Sequence, residues 1–164
     1  MGMRPSRVLY AGSFMSLQAL VTRAVVLSIV STYAAGQNAS SALQEELIAA
    51  DRGIWQAISG PRPQMDRVSA ALAPDYLDID SGVRHSRDEV FEYLRNLTNF
   101  SFDYASARAY VLSPTSGYVT AEVSYSSTEG GKAASGKVLT VTVFANEKGH
   151  WMAHLHIEME PGKG

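Results

Sequence analysis

The chain has 164 residues, of which 46% are apolar and 18% charged, and its formal net charge is −2. This length and composition are typical of one folded domain and exclude a disordered acidic tail. Because the chain has no cysteine, a disulfide scaffold, a thiolate zinc site, an iron–sulfur cluster and a cysteine nucleophile are excluded. Lysine and arginine are dispersed, so no basic surface for nucleic acid is expected.

Residues 1–36 have the composition of a secretory signal. They contain basic residues up to Arg23, and no acidic residue occurs before Glu45. A short apolar run follows Arg23 and ends in small residues. A basic segment, an apolar run and a small-residue cleavage site are the three parts of a signal peptide. Cleavage after Gly36 fits the pattern, and cleavage after Ala34 is a second possibility.

We therefore expect a secreted or periplasmic protein that contacts the membrane only through its signal segment. Residues 37–42 are predicted to form a disordered junction, and residues 43–160 the folded domain. An uncleaved membrane anchor and a structural N-terminal helix are the alternatives. Arg23 interrupts the apolar stretch, which disfavours a spanning helix of about 20 residues.

Three helices are predicted in the first half of the folded domain. The first begins at a capping box and follows an apolar stripe from Ser41 to Ile58. The second covers about Met65 to Leu72 and is ended by Pro74. The third begins at a second capping box and runs from Ser86 to about Leu97.

Strands are predicted on both sides of the third helix. A short pair, Tyr76 to Asp80 and Val83 to His85, is joined by a turn at Ser81-Gly82. Four longer strands follow, at 102–112, 118–128, 136–144 and 150–160. Consecutive strands with short turns indicate an antiparallel meander. Helices grouped before such a sheet predict an α+β fold, in which the helices and a curved sheet enclose a pocket.

Four local features carry a resemblance to a known family. They are Glu45-Glu-Leu-Ile with Trp55, Leu72-Ala-Pro-Asp-Tyr76, Ser81-Gly82 followed by Ser86-Arg-Asp-Glu-Val90, and Gly149-His-Trp-Met-Ala-His-Leu-His156. In this order and spacing they resemble the nuclear-transport-factor-2-like superfamily, also called SnoaL-like or ketosteroid-isomerase-like. The subgroup they most resemble is the SnoaL-like domains of unknown function, many of which carry signal peptides.

The resemblance implies a cystatin-like, SnoaL-like cone of three N-terminal helices packed on a curved antiparallel sheet. It also implies an internal cavity and a homodimer. Because the superfamily includes isomerases, dehydratases, hydrolases, binding modules and association domains, it does not imply a reaction.

The last predicted strand carries two candidate catalytic residues, His154 and His156. Regular alternation places both on one face, together with Glu158, and Trp151 on the other. Members of the resembling family usually have the tryptophan and the first histidine on the same face, so a bulge would be needed here. Either histidine could move a proton inside the pocket when paired with Asp78 or Asp80. The alternative is two histidines on a solvated or dimer-facing surface.

Tyr76, Asp78 and Asp80 lie on one face of the first predicted strand. Asp78 and Tyr76 are the candidate base and oxyanion donor that enolisation chemistry requires. The alternative is that Asp78 and Asp80 are solvated acids beside a turn.

Aromatic residues at helix and strand spacing are candidates to line the pocket or, alternatively, to form plain core; they are Trp55, Phe91, Tyr110, Tyr125 and Phe144. The two histidines with Glu158 have metal-ligand character, but two ligands on one strand do not make a site. No metal site and no cofactor are therefore predicted.

Three functions fit these observations. The first is an exported domain that holds a small, partly apolar molecule in a cone cavity. The second is a lyase or isomerase in the same pocket, with His156 or His154 as base aided by Asp78 and Tyr76. The third is a homo-oligomeric association module in which the sheet face binds another protein.

Overall fold

The structure is a computed structural model that describes residues 40–161. The predicted signal segment lies outside the described residues. Helix α1 covers 40–58 and so includes three residues of the predicted junction. Helix α2 is Met65–Ala71 and helix α3 is Arg87–Asn96. None of the helices in this part of the chain is both long and apolar enough to cross a membrane.

Helix α3 begins where its local sequence predicts. The backbone N–H of Glu89 donates to Ser86 Oγ at 3.4 Å, and the backbone N–H of Ser86 donates to Glu89 Oε2 at 2.7 Å. This reciprocal capping box satisfies two amide groups that the first turn would leave free. The predicted start is therefore confirmed.

Six strands form one sheet in the order β2-β1-β6-β5-β4-β3. Their bounds are β1 Leu72–Asp80, β2 Val83–Ser86, β3 Leu97–Ser113, β4 Ser116–Glu129, β5 Lys132–Glu147 and β6 His150–Met159. Strands β3 to β6 form the predicted antiparallel meander. The expected all-antiparallel sheet is nevertheless mixed, because β6 also pairs with β1 in parallel. The α+β class is confirmed.

Strand β6 contains a β-bulge at His154. Ala153 pairs with Phe144 and Leu155 pairs with Val143, so two steps along β6 match one step along β5. An extra residue of this kind shifts the alternation of side chains. Ala153 and His156 are consequently both buried. The expectation that His154 and His156 share one face is therefore wrong.

The main core lies between the helices and the inner face of the sheet. Fully buried side chains there include Leu47 on α1, Val68 on α2 and Val123 on β4. Helix α1 approaches β4 closely, because a Cβ added at Gly117 would lie 2.5 Å from Leu47 Cδ1. Only glycine leaves room for that approach.

Candidate functional site

A cavity of about 410 Å³ lies between the helices and the inner face of the sheet. Ligand pockets in proteins typically have volumes of about 300–1,000 Å³. The apolar part of the lining comes chiefly from α1, α3 and β3 and includes Ile54, Trp55, Ile58, Val90, Leu94, Leu97 and Phe100. The polar part comes mostly from β1, β2, β5 and β6 and includes Asp78, Asp80, His85, Thr142, His156 and Glu158.

Four polar residues form a continuous row across the sheet beneath the cavity. His85 on β2 pairs with Asp78 on β1, Asp78 pairs with His156 on β6, and His156 pairs with Thr142 on β5. All four line the cavity. We call this set the polar row. It exists because β6 lies between β1 and β5 and because the bulge turns His156 inward.

His156 is only 9% exposed, and both of its ring nitrogens have protein partners. Nδ1 lies 2.9 Å from Thr142 Oγ1, and Nε2 lies 3.2 Å from Glu158 Oε1. Burial lowers the pKa of His156, but the hydrogen bond and charge of Glu158, together with the charge of Asp78, outweigh burial and raise the pKa. Because each ring nitrogen already has a protein partner, neither nitrogen is left free to accept a proton from a ligand.

Asp78 and Tyr76 face the same cavity from β1. Burial raises the pKa of the Asp78 carboxyl, although the neighbouring His156 lowers it in part. Tyr76 is 8% exposed. Burial is the main cause that raises the pKa of its hydroxyl well above the usual range, and the charge of Asp78 is the second. Asp78 is thus a base that can take up a proton, while Tyr76 keeps its own proton.

Three aromatic rings, each stacked on the next, line another side of the cavity. Tyr125 stacks on Phe100 with ring centroids 6.1 Å apart, and Phe100 stacks on Trp55 at the same distance. The Trp55 ring meets His156 edge-on at 5.8 Å. We call Trp55, Phe100 and Tyr125 the aromatic wall. Tyr125 lies over its cross-strand partner Gly136, where an added Cβ would be 2.9 Å from the Tyr125 hydroxyl oxygen.

Sequence analysis missed a further acid on the cavity lining, Asp51. It is 1% exposed, and the Tyr104 hydroxyl donates to its Oδ2 at 2.6 Å. Burial and the charge of Asp51 raise the pKa of Tyr104 above its usual range. A signal was present, because Asp51 interrupts the apolar stripe of α1 one turn after Leu47 and one turn before Trp55.

Tyr93 and Glu129 also line the cavity and were not predicted. The Tyr93 hydroxyl donates to Glu129 Oε1 at 2.8 Å, which connects α3 to the end of β4. The Ser127 hydroxyl donates to the same oxygen at 3.1 Å. No local pattern indicates a contact between residues 36 positions apart.

Of the residues predicted from the sequence, Tyr76, Asp78, Asp80, His156, Trp55 and Tyr125 line the cavity. The other predicted residues lie elsewhere. His154 Nδ1 is 2.9 Å from Asp75 Oδ1 and its Nε2 is 3.1 Å from Glu147 Oε1, away from the cavity. The bulge causes this placement.

The remaining aromatic candidates also lie outside the cavity lining. Tyr110 is 41% exposed and stacks on Tyr118 with centroids 4.7 Å apart. Phe91 is buried beneath the Arg87 guanidinium, whose carbon lies 4.3 Å from the ring centroid. Phe144 is fully buried core. Within residues 40–161, no three histidine, aspartate or glutamate side chains are grouped to hold a metal ion.

Solved structures with the same architecture come from several organisms. An NTF2-like protein of unknown function in nutrient uptake from Rhodospirillum rubrum has a TM-score of 0.65 and 13% identity, covering 71% of this chain and 98% of that one. The described domain has the NTF2-like fold. A ketosteroid isomerase-like protein from Erwinia carotovora shares this fold with a TM-score of 0.57 and 12% identity, covering 72% of this chain and 97% of that one.

The association domain of Caenorhabditis elegans CaMKII also has the NTF2-like fold. Its TM-score is 0.61 and its identity 10%, with 73% of this chain and 96% of that one covered. No protein-family model matches the sequence, and no curated protein matches it significantly. At these identities the likeness establishes the fold and leaves the activity to the chemistry of the cavity.

Proposed function

We propose that this protein is an exported NTF2-like domain that binds a small, partly apolar molecule in its cone cavity. The cavity itself carries the proposal. Its volume of about 410 Å³ lies within the range of small-molecule pockets, which is large for one place in a domain whose core is otherwise close-packed. The aromatic wall offers apolar contact, and the polar row offers a few groups that would fix orientation.

Native mass spectrometry of the protein purified without added ligand tests this proposal. We expect an additional mass of a small organic molecule, or binding of aromatic compounds from a panel of charged and uncharged members. In the variant Val90→Phe the larger side chain would occupy cavity volume and binding should be lost. Leu112→Phe, on an exposed residue of β3, should leave it unchanged. A bare protein that binds no member of the panel would contradict the proposal.

A lyase or isomerase activity in the same cavity is the second candidate. It is favoured by the position of Asp78 beside Tyr76 and His156, since a carboxylate base and a phenol donor suit proton abstraction next to a carbonyl. The isomerase-like neighbour is a structural analogy only. We assign the base role to Asp78 rather than to either histidine, because both ring nitrogens of His156 are occupied and His154 lies outside the cavity.

Hydrogen–deuterium exchange into a panel of small ketones, followed by NMR, tests the enzymatic candidate. Asp78→Asn should abolish any exchange that the wild type catalyses, whereas His154→Ala should not change it. Exchange that survives Asp78→Asn would remove Asp78 from the base role.

We also propose a homodimer formed through the outer face of the sheet. Half-buried or exposed apolar side chains lie side by side there on β5 and β6, and we define the outer face by Leu139, Val141, Val143, Leu155 and Ile157. Contiguous apolar surface of this kind is typical of interaction sites. If the outer face binds a different protein instead, the third predicted function, an association module, would apply.

Export is proposed from residues 1–36 alone, and the membrane is expected to contact only this segment. The mass of the protein recovered from outside the cytoplasm tests it. Loss of the first 34 or 36 residues is expected, and a full-length cytoplasmic protein would contradict export.

A further inference from the structure

The cavity carries a charge pattern that selects among ligands. This inference rests on the proposed function, since it concerns the occupant of the same cavity. We infer that the ligand is an organic cation, a protonated amine or a quaternary ammonium attached to a flat apolar body.

The ionisable groups on the cavity lining are mostly acidic. Six carboxyl groups line it, and among the described lining residues there is no lysine and no arginine. The only basic side chains of the lining are His85 and His156. The acids are Asp51, Asp78, Asp80, Glu89, Glu129 and Glu158. The cavity, including its exposed acids Asp80 and Glu89, is therefore a negative environment that favours a cation and repels an anion.

The protein neutralises only part of this charge. Glu158 is paired with His156, and Glu89 accepts the capping bonds of α3. In the described part of the chain, no lysine or arginine lies within salt-bridge distance of Asp78 or Asp80. Asp78 is half-buried, whereas Asp80 is exposed at the end of β1. A half-buried carboxylate without a lysine or arginine partner is costly, and a ligand cation at Asp78 would offset that cost.

The carboxylates of the cavity also raise the pKa values of two tyrosines that line it. Burial raises the pKa of Tyr125, and the charges of Glu158, Glu129 and Asp80 raise it further. Asp78 and Glu158 act on the pKa of Tyr76 in the same direction. The two tyrosines lie on different strands, β4 and β1, so the negative potential extends across the cavity rather than residing at one residue.

The aromatic wall supplies the second half of the recognition. The three rings, stacked with centroids 6.1 Å apart, all line the cavity. Aromatic faces attract ammonium groups, and they also bury the flat body of an aromatic ligand. We place the ammonium group at Asp78 and Asp80 and the apolar body against Trp55 and Phe100.

A matched set of three probes tests the charge preference. 1-Naphthylmethylammonium, 1-naphthalenemethanol and 1-naphthoate share one ring system and differ in charge. Calorimetric titration of the full chain at neutral pH and low ionic strength should give the ammonium probe an affinity at least roughly tenfold above the alcohol. The carboxylate should bind most weakly.

Two variants locate the effect. Asp78→Asn should remove most of the advantage of the ammonium probe while leaving the alcohol almost unchanged. Asp103→Asn makes the same change of charge at an exposed residue of β3 and should keep the advantage. Equal or tighter binding of the alcohol or the carboxylate would overturn the inference, as would equal effects of the two variants.

Failure of the inference and failure of the proposed function give different results. If the alcohol binds, loses binding in Val90→Phe and is not surpassed by the ammonium probe, the cavity binds apolar molecules and only the inferred charge is wrong. If none of the three probes binds and the purified protein carries no small organic molecule, both are wrong.

Discussion

Asp78 and His156 are direct partners across the parallel pairing of β1 with β6, and both line the cavity. The pairing brings together two residues far apart in sequence. They lie on β1 and β6, which are the first and last strands of the described sheet in chain order. Each residue changes the pKa of the other. The charge of the His156 imidazolium lowers the pKa of Asp78, and the charge of the Asp78 carboxylate raises the pKa of His156. This relationship is the basis of the first two predictions.

Asp78→Asn should stabilise the protein at neutral pH. Burial raises the pKa of this carboxyl above its ordinary value of 3.8, so the group begins to oppose folding as the pH exceeds that ordinary value, and the full cost is present above the folded-state pKa. The neutral amide has no such cost. We expect a gain on the order of 1 kcal/mol or less in the free energy of unfolding. The gain should appear as the pH rises from about 4 and then level off.

Urea unfolding of wild type and Asp78→Asn across this pH range checks the prediction. Asp103→Asn provides the control, because Asp103 is exposed. A variant less stable than wild type at neutral pH, where Asp78 is ionised, would show that ionised Asp78 stabilises the native state through His156.

Glu158→Gln should lower the pKa of His156. The Glu158 carboxylate outweighs the effect of burial in the wild type, and the amide retains a hydrogen-bond acceptor without the charge. Because the folded-state pKa lies above 6.5, this interaction stabilises the fold fully below pH 6.5 and is lost as the pH rises through the folded value. The stability difference between the proteins should follow that dependence.

Imidazole NMR titration measures the His156 pKa directly. Glu147→Gln is the matched control, since Glu147 contacts His154 and not His156. An unchanged His156 titration in Glu158→Gln would show that Asp78 and Asp51 are sufficient to raise it.

Two glycine positions should respond oppositely to alanine. At Gly117 a Cβ would lie 2.5 Å from Leu47 Cδ1 and 2.8 Å from the Tyr110 backbone oxygen, so α1 or β3 must shift. We expect a loss of about 1–3 kcal/mol. At Gly53, within α1, no atom lies within 4 Å of the added Cβ, and alanine should stabilise the helix by about 0.5–1 kcal/mol. Thermal unfolding of both variants measures these changes, and equal Tm shifts would contradict the close approach of α1 to β4.

Gly136→Ala should weaken binding without unfolding the domain. Its Cβ would lie 2.9 Å from the Tyr125 hydroxyl oxygen, and the Tyr125 ring, which is the end of a half-exposed side chain, would move away from Phe100. We expect the affinity for 1-naphthylmethylammonium to fall by roughly three- to tenfold, because one ring of the aromatic wall is displaced. Calorimetric titration measures it. Gly53→Ala, away from the wall, should bind as wild type does, and an equal loss there would point to a general effect.

Local signals predicted the helices well. The capping box at Ser86 needs only residues within one turn, and the structure confirms it. The parallel pairing of β1 with β6 was missed, because no short-range pattern specifies which distant strands become neighbours. The meander suggested antiparallel partners throughout.

The site was predicted in part for a related reason. Asp78 and His156 were identified by residue type, but regular alternation also placed His154 beside them. One inserted residue in β6 moves His154 to the other face of the sheet. The only sequence signal for this bulge was the spacing of three residues between Trp151 and His154, which places them on opposite faces of a regular strand. The link between Tyr93 and Glu129 depends on tertiary packing that sequence periodicity does not encode.

Val141→Glu should dissociate the proposed homodimer. Val141 lies at the centre of the outer face, where its cross-strand partners are Ile157 and Thr120. In a symmetric dimer each substitution occurs twice in the interface, so two carboxylates would be buried without partners. We expect the dissociation constant to rise by at least roughly 100-fold.

Leu112→Glu adds the same charge at a residue that is 66% exposed and not part of the outer face, and it should leave the dimer intact. Analytical ultracentrifugation over a range of concentrations distinguishes these cases. A monomeric wild type, or two variants that both remain dimeric, would show that the outer face does not join two copies of this chain.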